Sequence, residues 1–486
     1  MSKKAIIIGS GIAGIASAIR LINKGYQVEV FEKNAYPGGK LSQIQLGEYR
    51  FDAGPSLFTM PQFVEELYTL SGKNTSDYFS YEKSEVACKY FFEDGTKLTF
   101  YADEDQLLSE IENNLNVDPE PCKKHLQKSA YIYRKTHKSF LEKSLHKFSS
   151  YFSRDIIETI AAIPNLGLFT TMHKVNRKAL NHPKLVQIFD RFATYNGSNP
   201  YQAPGILHVI PHLEHGYGTF FPKGGMVSIT NSLVKLAKDL GVEFRFNAPV
   251  KSISIEENQC KGVFSNSDFY SSDLVICNSD VKLAYNSLIK EEKAPPKVMQ
   301  QEPSSSAMIF YWGVKKKFPQ LDLHNIFFSA DYKKEFDCIF KEKTVDSDPT
   351  VYIHMASKMN NDDAPKESET WFVMINVPAN EGQDWEKLRI EIRKNVVLKL
   401  NRILDDDIEK YIEEEDYLDP IRIEERTSSF AGALYGSSSN DRMAAFFRHP
   451  NFSNVQGLYF VGGSVHPGGG IPLCLLSAKI AASLVD

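Results

Sequence analysis

The residues best suited to chemistry in this 486-residue chain are glycines gathered in three places, each beside side chains that can meet a phosphate, a ribose or a ring. The first group spaces Gly9, Gly11 and Gly14 as GxGxxG, with Ile12 and Ala13 inside it. Gly9 permits a tight turn, Gly11 lets backbone approach a pyrophosphate without a Cβ in the way, and Gly14 lets a helix pack closely on a strand. Glu32, further on, is placed to accept hydrogen bonds from a ribose diol. The second group is Gly38 and Gly39 before Lys40 and Leu41, followed by Asp52 and a loop of Gly54, Pro55 and Ser56. The third, near the C-terminus, runs from Gly462, Gly463 and Ser464 through His466, Pro467, Gly468, Gly469 and Gly470 to Ile471 and Pro472.

These groups need elements to hold them. Residues 4–8 are an apolar, β-branched run, which suits a buried parallel strand. Ile12, Ile15, Ala16, Ile19 and Ile22 then recur at helical spacing until Gly25, a residue type that ends helices. A second strand over 28–31 delivers Glu32. At the other end, a buried strand precedes Gly462, and a helix with Leu473, Leu476, Ile480 and Leu484 follows Pro472, which suits a first turn. That helix would aim its positive end at the preceding loop and stabilise negative charge near N1 and O2 of a reduced flavin. A nicotinamide enzyme usually needs little beyond the first glycine group, so all three together point to FAD. The competing readings are a fold retained as a scaffold without cofactor and, for the glycine triplet, a flexible surface loop.

The three segments resemble the phytoene desaturase family of carotenoid dehydrogenases, a branch of the amine-oxidase-like flavoproteins. The resemblance rests on Gly9 to Gly14 with Glu32, on Gly38, Gly39 and Lys40, on Asp52 to Ser56, and most narrowly on Gly463 to Pro472. Thr194 to Pro200 and Phe221 to Gly225 are also similar to that family, and the likeness spans essentially the whole chain. It implies an α/β architecture: a Rossmann-like FAD-binding domain, a mixed α+β substrate domain and a helical, membrane-facing insert. It places Lys33, Lys40, Leu41, Gly54, Pro55, Ser56, Ser464, Gly470, Ile471 and Pro472 against FAD beside the glycines already named. Val250 would touch the adenine end through its backbone, and Asn278 would lie near the cofactor at a strand end.

The activity implied is desaturation of a carotenoid, in particular 3,4-desaturation of a 1-hydroxylated one, with hydride leaving one carbon and a proton its neighbour. Oxygen or a membrane quinone would take the electrons. No side chain demands the role of catalyst. His466 and Asp52 could relay a proton, although bracing the glycine loops is the plainer role for both. Other activities compatible with the scaffold are carotenoid cis–trans isomerisation or saturation, amine oxidation, and lipid binding without redox chemistry.

Domain organisation follows from these placements. Strands expected at 241–246, 250–255, 260–264 and 274–277, after a helix at 226–240, return the chain to the nucleotide domain. That domain is therefore expected in three pieces: 1–75, 215–285 and 420–486. A helical insert over 76–214 would form the substrate entrance, and a substrate domain over 286–419 would contain strands at 308–312, 350–354 and 371–377 and a charged helix at 384–400. The interrupted apolar stretch 156–169, with Tyr151 and Phe152, could lie on a membrane or be ordinary core, and Tyr195 could line a substrate tunnel.

Composition narrows the rest. A formal charge of −5 gives no global attraction to nucleic acid. Six scattered cysteines and twelve histidines show no CxxC, HExxH or clustered ligand spacing, so no metal is expected and the thiols are expected reduced. No signal peptide and no bilayer-spanning segment is expected, since no apolar window approaches ~18 to 20 residues. The expected location is the cytoplasm, on the inner face of the cell membrane.

Overall fold

In the computed structural model, which describes residues 2–144, 146, 154–289, 294–441, 444 and 447–485 (side chains of 154–157 excepted), the apolar run after Lys3 becomes the strand Lys4–Ile8. It is the middle of a five-stranded parallel sheet ordered Leu458–Phe460, Leu274–Cys277, Lys4–Ile8, Gln27–Phe31 and Glu243–Arg245. Strands buried on both faces suit parallel pairing, because helices must cover each side. Here Ile12–Ile22 packs on Ile471–Leu484 and on Val227–Asp239, so helices from three distant parts of the chain share one core. The carboxyl ends of the strands, where such folds bind ligands, point into the glycine loops.

The second large sheet has seven strands ordered Ile412–Leu418, Ser306–Val314, Glu369–Val377, Val351–His354, His324–Phe327, Val86–Phe91 and Lys97–Tyr101. Its side chains alternate with the strand period of two. Trp371, Val373, Ile375 and Val377 face one way with Met308, Phe310, Trp312 and Val314, and pack under the helix Trp385–Leu404. The intervening residues Ile309, Tyr352, Phe372, Met374 and Asn376 face the other way and roof a cavity. Both faces are thus committed, one to the fold and one to the site.

Contrary to the sequence reading, the segment 76–214 is not helical throughout. Residues 81–101 form the strands Tyr81–Lys83, Val86–Phe91 and Lys97–Tyr101, and the last two join the seven-stranded sheet. Val86–Phe91 pairs in parallel with His324–Phe327, which binds the two inserts into one sheet. The physical reason is legible afterwards: Asp94 and Gly95 sit between two apolar runs, a strong hairpin signal, and Gly95 takes φ 84°. The helices begin at Glu104–Leu115 and Glu120–Phe140 and continue beyond. Arg154–Ala162 is a helix, with Leu166 wholly buried after it and Ile160 and Phe169 exposed. Tyr151, Phe152 and the Ile156 side chain lie outside the described residues. Among the described residues, no helix is long and apolar enough to cross a membrane.

Candidate active site

The centre of the nucleotide end is a side chain rather than a glycine. Asn278 follows the strand Leu274–Cys277, and its backbone N–H donates to Ile8 O at 2.9 Å, which places its amide among the glycine loops. A Cβ added at Gly11, Gly14 or Gly462 would lie 2.8, 2.9 or 2.8 Å from that amide. With its oxygen turned inward, Asn278 accepts from the Gly11 and Gly14 N–H groups at 3.2 and 3.3 Å. The missing side chain at Gly11 therefore also makes room for Asn278, a use the sequence reading did not foresee. Gly14 meets its expected use: a Cβ there would stand 2.2 Å from Gly9 O.

The second glycine loop is tied to the first by a parallel bridge between Gly11 and Gly38 and by a bond from Gly38 N to Ser10 O at 2.8 Å. Glu32 is buried, with one carboxylate oxygen accepting from Ser10 N and Oγ at 2.8 and 2.7 Å and the other from Asn34 N at 2.9 Å. Its neighbour Lys33 sends its amine to Glu425 O at 2.6 Å, so that side chain clasps the 420s segment. Lys40 is half-buried and donates to Ala433 O and Leu434 O at 3.1 and 2.7 Å, and desolvation lowers its pKa to about 8.

All of these loops open on one cavity of about 760 Å³, toward the upper end of the roughly 300–1,000 Å³ typical of ligand sites. Gly9, Gly11, Ile12, Ala13, Glu32, Lys33, Gly39, Lys40, Leu41, Gly54, Pro55, Ser56, Val250 and Asn278 line it. So do Gly463, Ser464, His466, Gly470, Ile471 and Pro472 from the C-terminal loop. Two expected residues do not. Gly14 is behind the wall, and Asp52 is turned away from it.

Asp52 is the anionic cap of the helix Val227–Asp239. It accepts from Met226 N and Val227 N at 2.9 and 3.1 Å and pairs with Arg50 at 3.1 Å. Arg50 in turn grips Asp363 through two bonds of 2.6 Å. The carboxylate is thus committed to structure, and the proton-relay reading of Asp52 loses its geometry. His466 does line the cavity, but its Nε2 is bonded to Lys143 O at 2.9 Å and burial lowers its pKa to about 4. It is a neutral brace of the loop it begins.

FAD fits this arrangement by charge and by shape. Gly11 and Gly470 cap the helices Ile12–Ile22 and Ile471–Leu484 without a side-chain hydrogen bond of their own. Asn278 takes the Gly14 N–H, and the rest of each helix's amino end, with its positive dipole, suits an anion. Arg448, which no motif singled out, is buried in the wall and, among the described residues, donates to neutral oxygens: Tyr435 O, Gly463 O, Asn196 Oδ1 and Ser437 O, at 2.9 to 3.1 Å. Among the described residues, no carboxylate lies within ion-pair reach of Lys40 or Arg448. Lys40 has the Asp280 carboxylate of the same wall as an electrostatic neighbour beyond ion-pair distance, and two cations so placed suit a cofactor carrying phosphates and gaining negative charge on reduction.

The other arm of the cavity is largely apolar, with Tyr133, Phe140, Leu141, Ile206, Leu213, Ile309, Ile326, Phe372 and Met374. Tyr195 is there as expected, its hydroxyl held between Arg191 at 2.8 Å and Glu214 at 2.5 Å. The sequence reading missed Arg448, Tyr352 and Tyr435. An isolated Arg or Tyr carries no local signal, and their convergence depends on sheet register and loop folding.

A cavity that joins a dinucleotide loop to an apolar chamber under a mixed sheet is the architecture of the flavin-dependent oxidases and dehydrogenases. The flavin-containing amine oxidoreductase family matches residues 12–486, and the chain belongs to it: it is an oxidoreductase that carries FAD. Within that class it is 53% identical to the 1-hydroxycarotenoid 3,4-desaturase of Flavobacterium sp. (strain P99-3) over 484 residues, 99% of each chain. It is 32% identical to the 4,4'-diapolycopene oxygenase of Methylomonas sp., covering 99% of this chain and 97% of that one. Among solved structures, an oxidoreductase from Methanosarcina mazei shares the fold with a TM-score of 0.62 at 15% identity, covering 98% of each chain.

Two substitutions test the site's construction. Gly14→Ala forces a Cβ against Gly9 O, and we expect about 1–3 kcal/mol of lost stability with a fall in bound flavin, read by thermal melting and by absorbance. Asp52→Asn is expected to cost about 1–3 kcal/mol by denaturant midpoint, while the flavin-loaded fraction turns over close to wild type. Collapse of turnover at unchanged stability would restore Asp52 as a proton carrier.

Proposed function

We propose that the chain is an FAD-dependent carotenoid desaturase that introduces a carbon–carbon double bond into an apolar polyene, with a 1-hydroxycarotenoid desaturated at carbons 3 and 4 as its substrate. The observation that carries this reading is the continuity of the cavity, from the Glu32 and Asn278 end to the chamber of Phe140, Ile309, Phe372 and Met374. The named relatives add weight, since both act on carotenoids. We further propose the residues named above as the FAD contacts.

In such a reaction a hydride and a proton leave adjacent carbons. FAD, when bound, supplies the hydride acceptor. The chain's own work is to orient the polyene and keep water out, which the apolar wall and the sheet roof do. Positive charge developing at an allylic carbon spreads along the polyene, so the proton can depart without a strong base. That suits a wall in which His466 is neutral and held and Asp52 is turned away.

A carotenoid resides in the bilayer, so we also place the protein on the inner membrane surface, with oxygen or a quinone reoxidising it. Exposed Ile160 and Phe169 are the anchors in this reading.

The deciding assay supplies a 1-hydroxycarotenoid in liposomes to the purified flavoprotein under air. We expect a red-shifted product lighter by two hydrogens. Bound flavin with no product from this or any other carotenoid would overturn the reading, and turnover of amines instead would replace it. Sedimentation with liposomes should carry the wild type down and leave an Ile160→Asp, Phe169→Asp double variant in the supernatant. Equal sedimentation of both would remove these residues as anchors.

A further inference from the structure

One polar chain breaks the apolar roof. Ser56, at the end of the second cofactor loop, lies 2.8 Å through Oγ from the hydroxyl of Tyr352, and that hydroxyl lies 2.8 Å from Nδ1 of His324. All three side chains line the cavity, on a wall that also carries Ile309, Ile326, Phe372 and Met374. His324 is buried, burial and the neighbouring His354 lower its pKa to about 3, and its Nε2 has no hydrogen-bond partner. Tyr352 and Ser56 keep partial exposure, although the Tyr352 strand is interior to the sheet. A polar relay left in an apolar chamber carries a desolvation penalty unless something answers it.

The hydrogens in this relay can run in either direction. If Tyr352 donates to His324, it accepts from Ser56, and the Ser56 oxygen retains acceptor capacity. If His324 donates to Tyr352, then Tyr352 donates to Ser56, and the Ser56 hydroxyl is free to donate. The relay can therefore answer a neutral donor or a neutral acceptor, and an alcohol, being both, is served in either arrangement. A carboxylate or an ammonium would need a fixed opposite charge, and the imidazole is neutral. The charged pair nearby does not compete, because the Tyr195 hydroxyl is already held by Arg191 and Glu214.

We propose that Ser56, Tyr352 and His324 form a hydroxyl-recognition subsite, which selects a polyene bearing an alcohol close to the bond that is oxidised. The inference rests on the desaturase reading. It adds a placement: the relay starts on the cofactor loop, so the alcohol is read beside the reacting carbons. In a 1-hydroxy substrate desaturated at carbons 3 and 4, the carbinol carbon is only two bonds from the first reacting carbon, which meets that requirement. A substrate without the hydroxyl leaves the relay unanswered and is disfavoured.

The test compares one carotenoid with and without the tertiary hydroxyl, in liposomes, with wild type, Tyr352→Phe and Ser56→Ala holoenzymes. Flavin absorbance and melting temperature establish that each variant is folded and loaded. We expect wild type to favour the hydroxylated substrate in kcat/KM by roughly tenfold to a hundredfold. Tyr352→Phe is expected to erase most of that preference by losing activity on the hydroxylated substrate, and Ser56→Ala to move the same way. A preference that survives both variants, equal losses on both substrates, or no preference in wild type overturns the subsite while the desaturase reading stands. Conversion of neither substrate by loaded wild type overturns the subsite, and the desaturase reading with it when no other carotenoid is converted.

Discussion

The fold turns on the space around the Asn278 amide. Backbone from the N-terminal loop and from the loop after Leu458–Phe460 closes on that one side chain, and each approach is possible only because Gly11, Gly14 and Gly462 lack a Cβ. The strand that delivers Asn278 is itself hydrogen bonded between the first and last strands of the chain's nucleotide sheet. Packing the amide there aligns the amino ends of two helices on one cavity. A glycine loop that looks like a flexible cradle is thus a tightly filled contact, consistent with the close-packed interiors of proteins.

From that socket outward, the division of labour follows the secondary-structure periods. The parallel sheet presents only its ends to the cavity, so the nucleotide side is built from loops, helix termini and two cations. The larger sheet presents a face, so alternate residues of its central strands, such as Phe372, Met374 and Asn376, contribute side chains to the chamber. A long apolar chamber and a short polar grip are what these two geometries naturally make. The helix Trp385–Leu404 covers the far face and holds the roof flat against it, and Lys399, buried within that helix, donates to Phe328 O and Pro349 O at 3.0 and 2.7 Å.

What the sequence discloses is uneven for physical reasons. Local spacing exposes Gly9 to Gly14, Glu32 and the Gly463 to Pro472 segment, because a tight turn into a helix leaves its mark within a few residues. It does not expose why Gly11 must be glycine, since the answer is a side chain more than half the chain away. The hairpin at 86–101 is readable from Asp94 and Gly95 but is easily passed over in a stretch that soon becomes helical. Tyr352, His324 and Arg448 are silent in the sequence. Their meaning comes from strand register and from which face of a sheet they reach.

The parallel pairing of Val86–Phe91 with His324–Phe327 has a consequence for the order in which the protein is made. On the ribosome the hairpin emerges early, while its neighbour in the sheet follows only after the helical insert and the return to the nucleotide sheet. Until then one edge of that hairpin is an unpaired strand carrying Tyr90 and Phe91, the kind of edge that invites wrong partners. The nascent chain can therefore complete this sheet only once the second insert has been synthesised.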